Sequence, residues 1–330
     1  MKRKKLMALG AIIAVIFTAC SNPFFPEKND FSPERKGKEG ILNYTSPTGI
    51  ELVYVAGGSF QMGQNGNGST GNVTPVHTVT LSGFYIGRYE VTQAQWYAVT
   101  EGITQQQQQS IAGWGSANYG RGDTYPISFV NWYEAIRFCN RLSIIEGLTP
   151  AYRIGNSTDP AEWGGAPSAN FPNLASPWDD VTIDSGSNGY RLPTEAQWEY
   201  AAKGGPLASN PYKIYSGSDD INGVAWNQHN SVPPAPDGST RPVGTLQANE
   251  LGIHDMSGNV WEWCWDWYKQ NYYNESPTND PQGPSSGSRL GDGRMARGGD
   301  WQSSNRTVER GPSVPYSRDK YGFRLVRPAQ

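Results

Sequence analysis

The sequence predicts an α+β fold made of short helices and short strands set in long irregular loops. Three observations lead there. Glycine and proline are abundant, at 39 and 24 of 330 residues, and both punctuate a chain into turns. Helix starts are marked by capping signatures: Thr92-Gln-Ala-Gln95, Thr194-Glu-Ala-Gln197 with Pro193 just ahead, and the variant Asn131-Trp-Tyr-Glu134. Stretches that alternate or carry β-branched residues, Glu51–Val55 and His77–Leu81, read as strands.

Each helix start has a physical reason. The cap side chain accepts from a free backbone N–H in the first turn, and the side chain three residues on returns a bond to the cap's own N–H. After Asn131, residues Trp132, Ala135, Ile136, Cys139 and Leu142 recur at helical spacing. Cys139 therefore lies on the apolar face, where a thiol acts as a small hydrophobe. A further strand runs through Gly258–Trp267. Period two puts Trp261, Trp263, Trp265 and Trp267 on one face and Glu262, Cys264 and Asp266 on the other. Four indoles on one face must be covered or line a pocket. Cys264, beside two carboxylates, has nothing to lower its thiol pKa. An exported chain has the option of pairing Cys139 with Cys264, and neither neighbourhood requires it.

Composition narrows the function. Aromatic residues make up 12% of the chain, with 12 Trp, which argues for a packed core against disorder. The basic run Lys2–Lys5 precedes an apolar stretch from Leu6 to Ala19 and then Cys20, so residues 1–19 read as a signal peptide too short to span a bilayer as a mature helix. Phe17-Thr-Ala-Cys20 resembles a bacterial lipobox, with Cys20 as the acylated N-terminus; an ordinary secretory signal cleaved nearby is the alternative. Without residues 1–19, 23 basic residues stand against 30 acidic ones, a formal charge of −7, and no basic footprint for nucleic acid is visible. Residues 20–47 read as a polar tether. One domain, 48–330, follows, with long loops at 155–189 and 270–293 and a glutamine run at Gln105–Gln109.

Seven blocks in order along residues 50–327 carry a resemblance. They are Gly57-Gly-Ser-Phe-Gln-Met-Gly63, Phe84-Tyr-Ile-Gly-Arg-Tyr-Glu-Val-Thr92, Pro126-Ile-Ser-Phe-Val-Asn-Trp132, Tyr190-Arg-Leu-Pro-Thr-Glu-Ala-Gln-Trp-Glu-Tyr200, Asp255-Met-Ser-Gly-Asn-Val-Trp-Glu-Trp263, Arg297-Gly-Gly-Asp-Trp301 and Gly322-Phe-Arg-Leu-Val326. The chain resembles the formylglycine-generating-enzyme, or sulfatase-modifying-factor, family. That resemblance implies a C-type-lectin-like fold elaborated with long loops. In the family's oxidases two cysteines after the Arg-Gly-Gly block support copper-dependent oxidation of a substrate cysteine; counting forward, their places are Ser303 and Val308. Neither supplies a soft thiolate for copper. Leu325 stands where the oxidases often place a cysteine that pairs with the helix holding Cys139. His77, His229 and His254 are widely separated and not in metal-ligand spacing, and Ser303, His254 and Asp255 lack a nucleophile-elbow context.

The final segment, about residues 297–326, also resembles the variable proteins of diversity-generating retroelements, which use this scaffold as a rigid base. That likeness implies a ligand-binding surface at Asp300, Gln302, Ser303, Ser304, Val308, Ser313, Val314 and Tyr316, with Arg297, Arg306, Arg310, Pro315, Arg318 and Gly322–Val326 as the frame. The alternative is an ordinary exposed loop. The Asn259, Val260 and Glu262 positions resemble a calcium site of the family; the alternative is a turn with a hydrogen bond or salt bridge. The leading reading is thus a surface-displayed, retroelement-diversified lipoprotein. It is anchored in a bacterial membrane, at the outer membrane or cell surface, through lipid on Cys20. It binds a protein or surface ligand, requires no cofactor, with a structural calcium as the one ion the resemblance offers, and is not an enzyme. The rivals are an enzyme, either a degenerate oxidase or one of unrecognised chemistry, and a structural envelope protein.

Overall fold

Helices begin where the capping signatures place them. The computed structural model describes residues 43–65, 72–104, 106–108, 119–167, 176–231, 239–287, 293–303 and 305–329. Cys20, most of the tether, Ser304, and Gln105 and Gln109 lie outside them. Helices α1 (Gln93–Val99), α2 (Trp132–Ile145) and α3 (Glu195–Ala202) each start with a complete reciprocal box, at Thr92/Gln95, Asn131/Glu134 and Thr194/Gln197.

Strands are short, as the turn content requires. Those that position the site are β1 (Tyr44–Thr45), β2 (Glu51–Val55), β3 (Gly58–Met62), β4 (His77–Leu81), β5 (Phe84–Gly87), β6 (Tyr152–Arg153), β7 (Thr182–Ile183), β8 (Trp261–Trp267), β9 (Arg294–Arg297), β10 (Arg310–Ser313), β11 (Tyr321–Gly322) and β12 (Val326–Pro328). One antiparallel sheet has the order β1-β2-β5-β12, so the last strand closes onto early ones. A second has the order β10-β9-β8-β11, with only β11 parallel to its neighbour. Among the described residues β3-β4 and β6-β7 form separate two-stranded pairs. This mixture matches the predicted α+β class.

Strand β8 lies between two packed clusters. Trp263 belongs to the cluster around α1 and α2, and Cys264 to the one around α3 and β2. Cys139 is buried in the first, with Leu325, as a free thiol; Cys264 is free as well, so the two do not pair. Burial pushes both thiols above the usual cysteine range, the opposite of a reactive pair.

The two faces of β8 invert a simple expectation. The face bearing Glu262, Cys264 and Asp266 is wholly buried, whereas Trp261, Trp265 and Trp267 on the indole face are only half-buried. Arg294 explains how those indoles are covered. Its guanidinium sits 3.8 Å from the Trp132 ring centre and 3.7 Å from that of Trp267, and donates to the Trp265 carbonyl at 2.6 Å. Burial lowers this guanidinium to about 9. On the opposite face Glu262 is held by Arg324, Nε to Oε2 and Nη2 to Oε1, each at 2.6 Å, with the Trp198 indole N–H adding a bond at 2.7 Å. Arg324 also donates to the carbonyls of Gly87 and His254 at 3.0 Å, tying β8 to β5. Arg324→Met would leave Glu262 buried and uncompensated. Removing one partner of a buried pair costs about 3–5 kcal/mol, so denaturant unfolding should register a loss of that order; a loss below about 1 kcal/mol would contradict this role.

Candidate functional site

The C-terminal segment is held from beneath by α3. All eight residues of that helix are buried, including Glu195 and Glu199, one turn apart on a common face. Buried carboxylates need partners, and β9 and β10 deliver them. Arg310 grips Glu195 with two bonds, Nε to Oε1 at 2.6 Å and Nη2 to Oε2 at 2.8 Å, and its Nη1 donates to the Asn72 carbonyl at 2.6 Å. Arg297 bonds Glu199 directly and uses Nη1 on the carbonyls of Val308, at 2.9 Å, and Glu309, at 3.1 Å. Lys203 completes the cluster, its ammonium 2.7 Å from Glu199. Burial alone would raise the Glu199 carboxyl, but Lys203 and Arg297 outweigh it and hold it down at about 2. At the far end of the segment Arg318 makes a fork onto Glu134, at 2.5 and 2.6 Å, binding the loop to the cap of α2.

The turn between β9 and β10 depends on two glycines. Gly298 and Gly299 have φ of +93° and +76°, and a Cβ on Gly299 would meet the Asn305 Oδ1 at 2.3 Å. Beyond them Asp300 is only 5% exposed. Its Oδ1 accepts from the Gln302 N–H at 2.7 Å and the Ser303 hydroxyl at 2.9 Å, and Lys320 stands 3.3 Å from its Oδ2.

The display residues expected from sequence divide into two kinds. Gln302 is exposed; Ser303, Ser313 and Val314 are half-buried; Tyr316 is half-buried and packs against the cluster around α2. Asp300 and Val308 are buried, which corrects their placement as exposed display residues and leaves Val308 only as part of a cavity wall. Asp300 is inside because it organises the turn, and Val308 because its carbonyl serves Arg297 and its side chain lines a cavity. Ser304 lies outside the described residues.

That cavity, of about 270 Å3, is one the sequence did not announce. Gln61, Lys203, Tyr212, Ile214 and Val308 line it. The Lys203 ammonium sits 4.6 Å from the Tyr212 ring centre, and Thr307 N–H donates to the Ile214 carbonyl at 3.0 Å, joining the 212–214 loop to the C-terminal segment. The aliphatic Val308, one of the two positions that the sequence resemblance sets against the oxidase cysteines, therefore borders a mostly apolar hollow. At the other, the Ser303 hydroxyl is turned onto Asp300.

Asn259, Val260 and Glu262 do not fit a calcium ion. Both Glu262 oxygens are committed to Arg324, whose charge opposes a cation at that point. The Asn259 side-chain oxygen accepts from Arg241 N–H at 2.9 Å, and its amide donates to Glu90 at 2.8 Å. The turn-and-salt-bridge alternative describes them. Among the described residues no group of three or more His, Cys, Asp or Glu is arranged for a metal. His254 Nδ1 lies 2.9 Å from the Leu246 carbonyl, and Ser303 donates to Asp300, so neither is bonded to the other as a triad would require.

Asp266 carries the site's pH dependence from the opposite side of α3. Its Oδ2 accepts from the Glu195 N–H at 2.8 Å, while burial and then repulsion from Glu195 push its carboxyl up to about 7. An unfolded aspartate titrates near ~3.9. Stability linked to this proton is thus full below about pH 4 and lost as pH rises through about 7. Glu199 works the other way, and its contribution is lost only as pH falls toward about 2. Asp266→Asn keeps an acceptor for the Glu195 N–H and removes the titration. Its melting temperature should exceed the parent's at about pH 8 and approach it at about pH 5; an equal offset at both pH values would contradict the assignment.

Comparison with known proteins follows the same geometry. Residues 42–329 match the family model described as the sulfatase-modifying factor enzyme 1-like domain. The chain is 38% identical to the Chaperone protein LppX of Paenibacillus barcinonensis over 271 residues, 78% of this chain and 81% of that one. It is 33% identical to the formylglycine-generating enzyme of Streptomyces coelicolor over 303 residues, 84% and 89% of the two chains. Among solved structures, Treponema denticola variable protein 1 superposes with a TM-score of 0.69 at 34% identity, covering 88% of this chain and all (100%) of that one. The fold, the buried Arg-Gly-Gly frame and the match across nearly the whole described domain agree: this chain belongs to the sulfatase-modifying factor enzyme 1-like family.

Proposed function

We propose that this protein is a ligand-binding lipoprotein whose C-terminal segment, about residues 297–326, displays a protein-binding surface on a rigid frame. In this reading lipid on Cys20 holds it at the bacterial cell surface, and the exposed positions are those a diversity-generating retroelement varies. One observation carries the reading. Arg297, Arg310, Arg318 and Arg324 each reach a carboxylate on another element, while Gln302, Ser313 and Val314 lie between them with side chains at least partly open to solvent. Frame residues fix the path of the backbone, so the side chains between them are free to change without loss of the fold.

Two likenesses support it. Variable protein 1 of Treponema denticola shares this fold over almost the whole chain, and the LppX relative is named a chaperone, a role that requires contact with another protein. The oxidase reading is disfavoured by chemistry, since Ser303 and Val308 offer a hydroxyl and an alkyl group where copper needs thiolates. The 270 Å3 hollow beside Val308 then serves as a recess for a side chain of the partner.

The test is a library varied at Gln302, Ser303, Ser313 and Val314, read in parallel for melting and for binding to a panel of cell-surface proteins. Gln302 and Ser313 substitutions should change binding while shifting stability by no more than about 0.5 kcal/mol. Arg310→Met should instead cost about 3–5 kcal/mol, because it strands Glu195. A library in which the four open positions destabilise as much as Arg310→Met would remove the display reading.

A further inference from the structure

A larger cavity, of about 440 Å3, lies away from the display segment, and no residue between 300 and 316 lines it. Trp265 of β8, Arg191 just ahead of α3, Ile183 of β7, and Asp184, Ser187 and Gln282 from flanking loops form its walls. Its volume suits a small organic molecule.

The rim is a built structure. Asp184 is bonded to the Arg153 guanidinium at 2.8 Å and to the Gly186 N–H at 3.1 Å, and the Ser187 hydroxyl donates to the Thr149 carbonyl at 2.7 Å. Asp184 is therefore already committed, and it does not neutralise Arg191. The Arg191 Nη1 donates to the Leu192 carbonyl at 3.0 Å and to Gln197 Oε1 at 2.8 Å. Among the described residues no carboxylate lies within ion-pair distance of Arg191, and its Nε and Nη2 have no acceptor. Arg297, Arg310 and Arg324, by contrast, each hold a carboxylate. An enclosed guanidinium with no counter-ion is costly, and Arg191 is enclosed enough that burial lowers its pKa. The residue is half-buried and lines the cavity, so it can be reached by a bound acceptor.

The floor supplies the other half of the recognition. Trp265 is half-buried, stacked on Tyr152 with ring centres 5.4 Å apart at 26°, and its pose is fixed from below by Trp132 at 5.7 Å. Among the described residues nothing accepts from its indole N–H. Arg294 also lies over the Trp265 ring, at 5.0 Å from its centre, so the part of the indole left open between Tyr152 and Arg294, an aliphatic wall at Ile183 and a free guanidinium edge complement a small ring-bearing body with an acidic group.

We infer that this cavity binds a small ring-bearing carboxylate, with the carboxylate on the free Arg191 edge and the ring against Trp265. Such a ligand has two sources, an acidic sugar or an aromatic acid. The experiment titrates the purified full chain with galacturonate and with benzoate, using galactose and benzamide as neutral counterparts, and follows the Trp265 indole resonance by NMR. At least one carboxylate should bind with one-to-one stoichiometry and shift that resonance, and its neutral counterpart should bind at least about tenfold more weakly. Binding of galacturonate alone assigns a sugar, and binding of benzoate an aromatic acid. Arg191→Lys should weaken binding by about tenfold or more, since a point charge replaces the fork. Gln282→Trp, at the exposed rim, should block binding with melting unchanged, which keeps the test sound if Arg191→Lys fails to fold. No shift with either carboxylate at roughly 10 mM, equal binding of the neutral counterparts, or full binding by Gln282→Trp would overturn the inference.

Discussion

The fold of the C-terminal half depends on one constraint: α3 carries two carboxylates into a space closed to water, and the chain must bring cations to them. Glu195 and Glu199 are essentially inaccessible, so neither can rely on solvent for its charge. Arg310 and Arg297 arrive from adjacent strands, and Lys203 from the next turn of the same helix. A buried pair of this kind adds little net stability compared with apolar packing, but breaking it is costly, so it acts as a register pin. It fixes which residue of β9 and which of β10 face the helix, and with that the course of the Gly298–Glu309 turn between them.

Everything offered for recognition inherits that rigidity. Asp300 folds its own turn by accepting from Gln302 and Ser303, and Arg318 returns the chain to the cap of α2. The open side chains are left with little packing duty. At Ser303 and Val308, the two positions that the sequence resemblance sets against the oxidase cysteines, this chain has no thiol, and the recess beside the frame is lined by Tyr212, Ile214 and Val308. The buried aspartate on β8 shows the same economy of polar groups. Asp266 meets α3 from behind, and it holds its proton up to about pH 7, because burial and Glu195 together disfavour a second charge.

How much of this was legible in the sequence follows from distance along the chain. The starts of α1, α2 and α3 were legible, since a capping box is a four-residue event. The two faces of β8 were legible as well, from period two alone. Which face is deeper was not, because the partner that makes Glu262 tolerable lies 62 positions away at Arg324, and the one for Glu195 lies 115 away at Arg310. The same gap explains the calcium expectation: Asn259 and Glu262 are good local oxygen donors, and only the folded chain brings the Arg324 guanidinium onto Glu262 and the Arg241 backbone N–H onto Asn259. Exposure within the Asp300–Tyr316 loop was equally hidden. A loop has no period, so Gln302 and Val308 look alike until the hollow beside Val308 is seen.

The central claim is that the frame holds its shape whatever the open side chains are. It is tested most directly by a crystal structure of a variant replaced at once at Gln302, Ser313 and Val314 with residues of different size and charge. The account predicts that the backbone of residues 294–322 superposes on the parent within about 1 Å, with Arg310 still forked onto Glu195 and Arg318 onto Glu134. A loop that has moved by more than about 2 Å, with either fork broken, would contradict it.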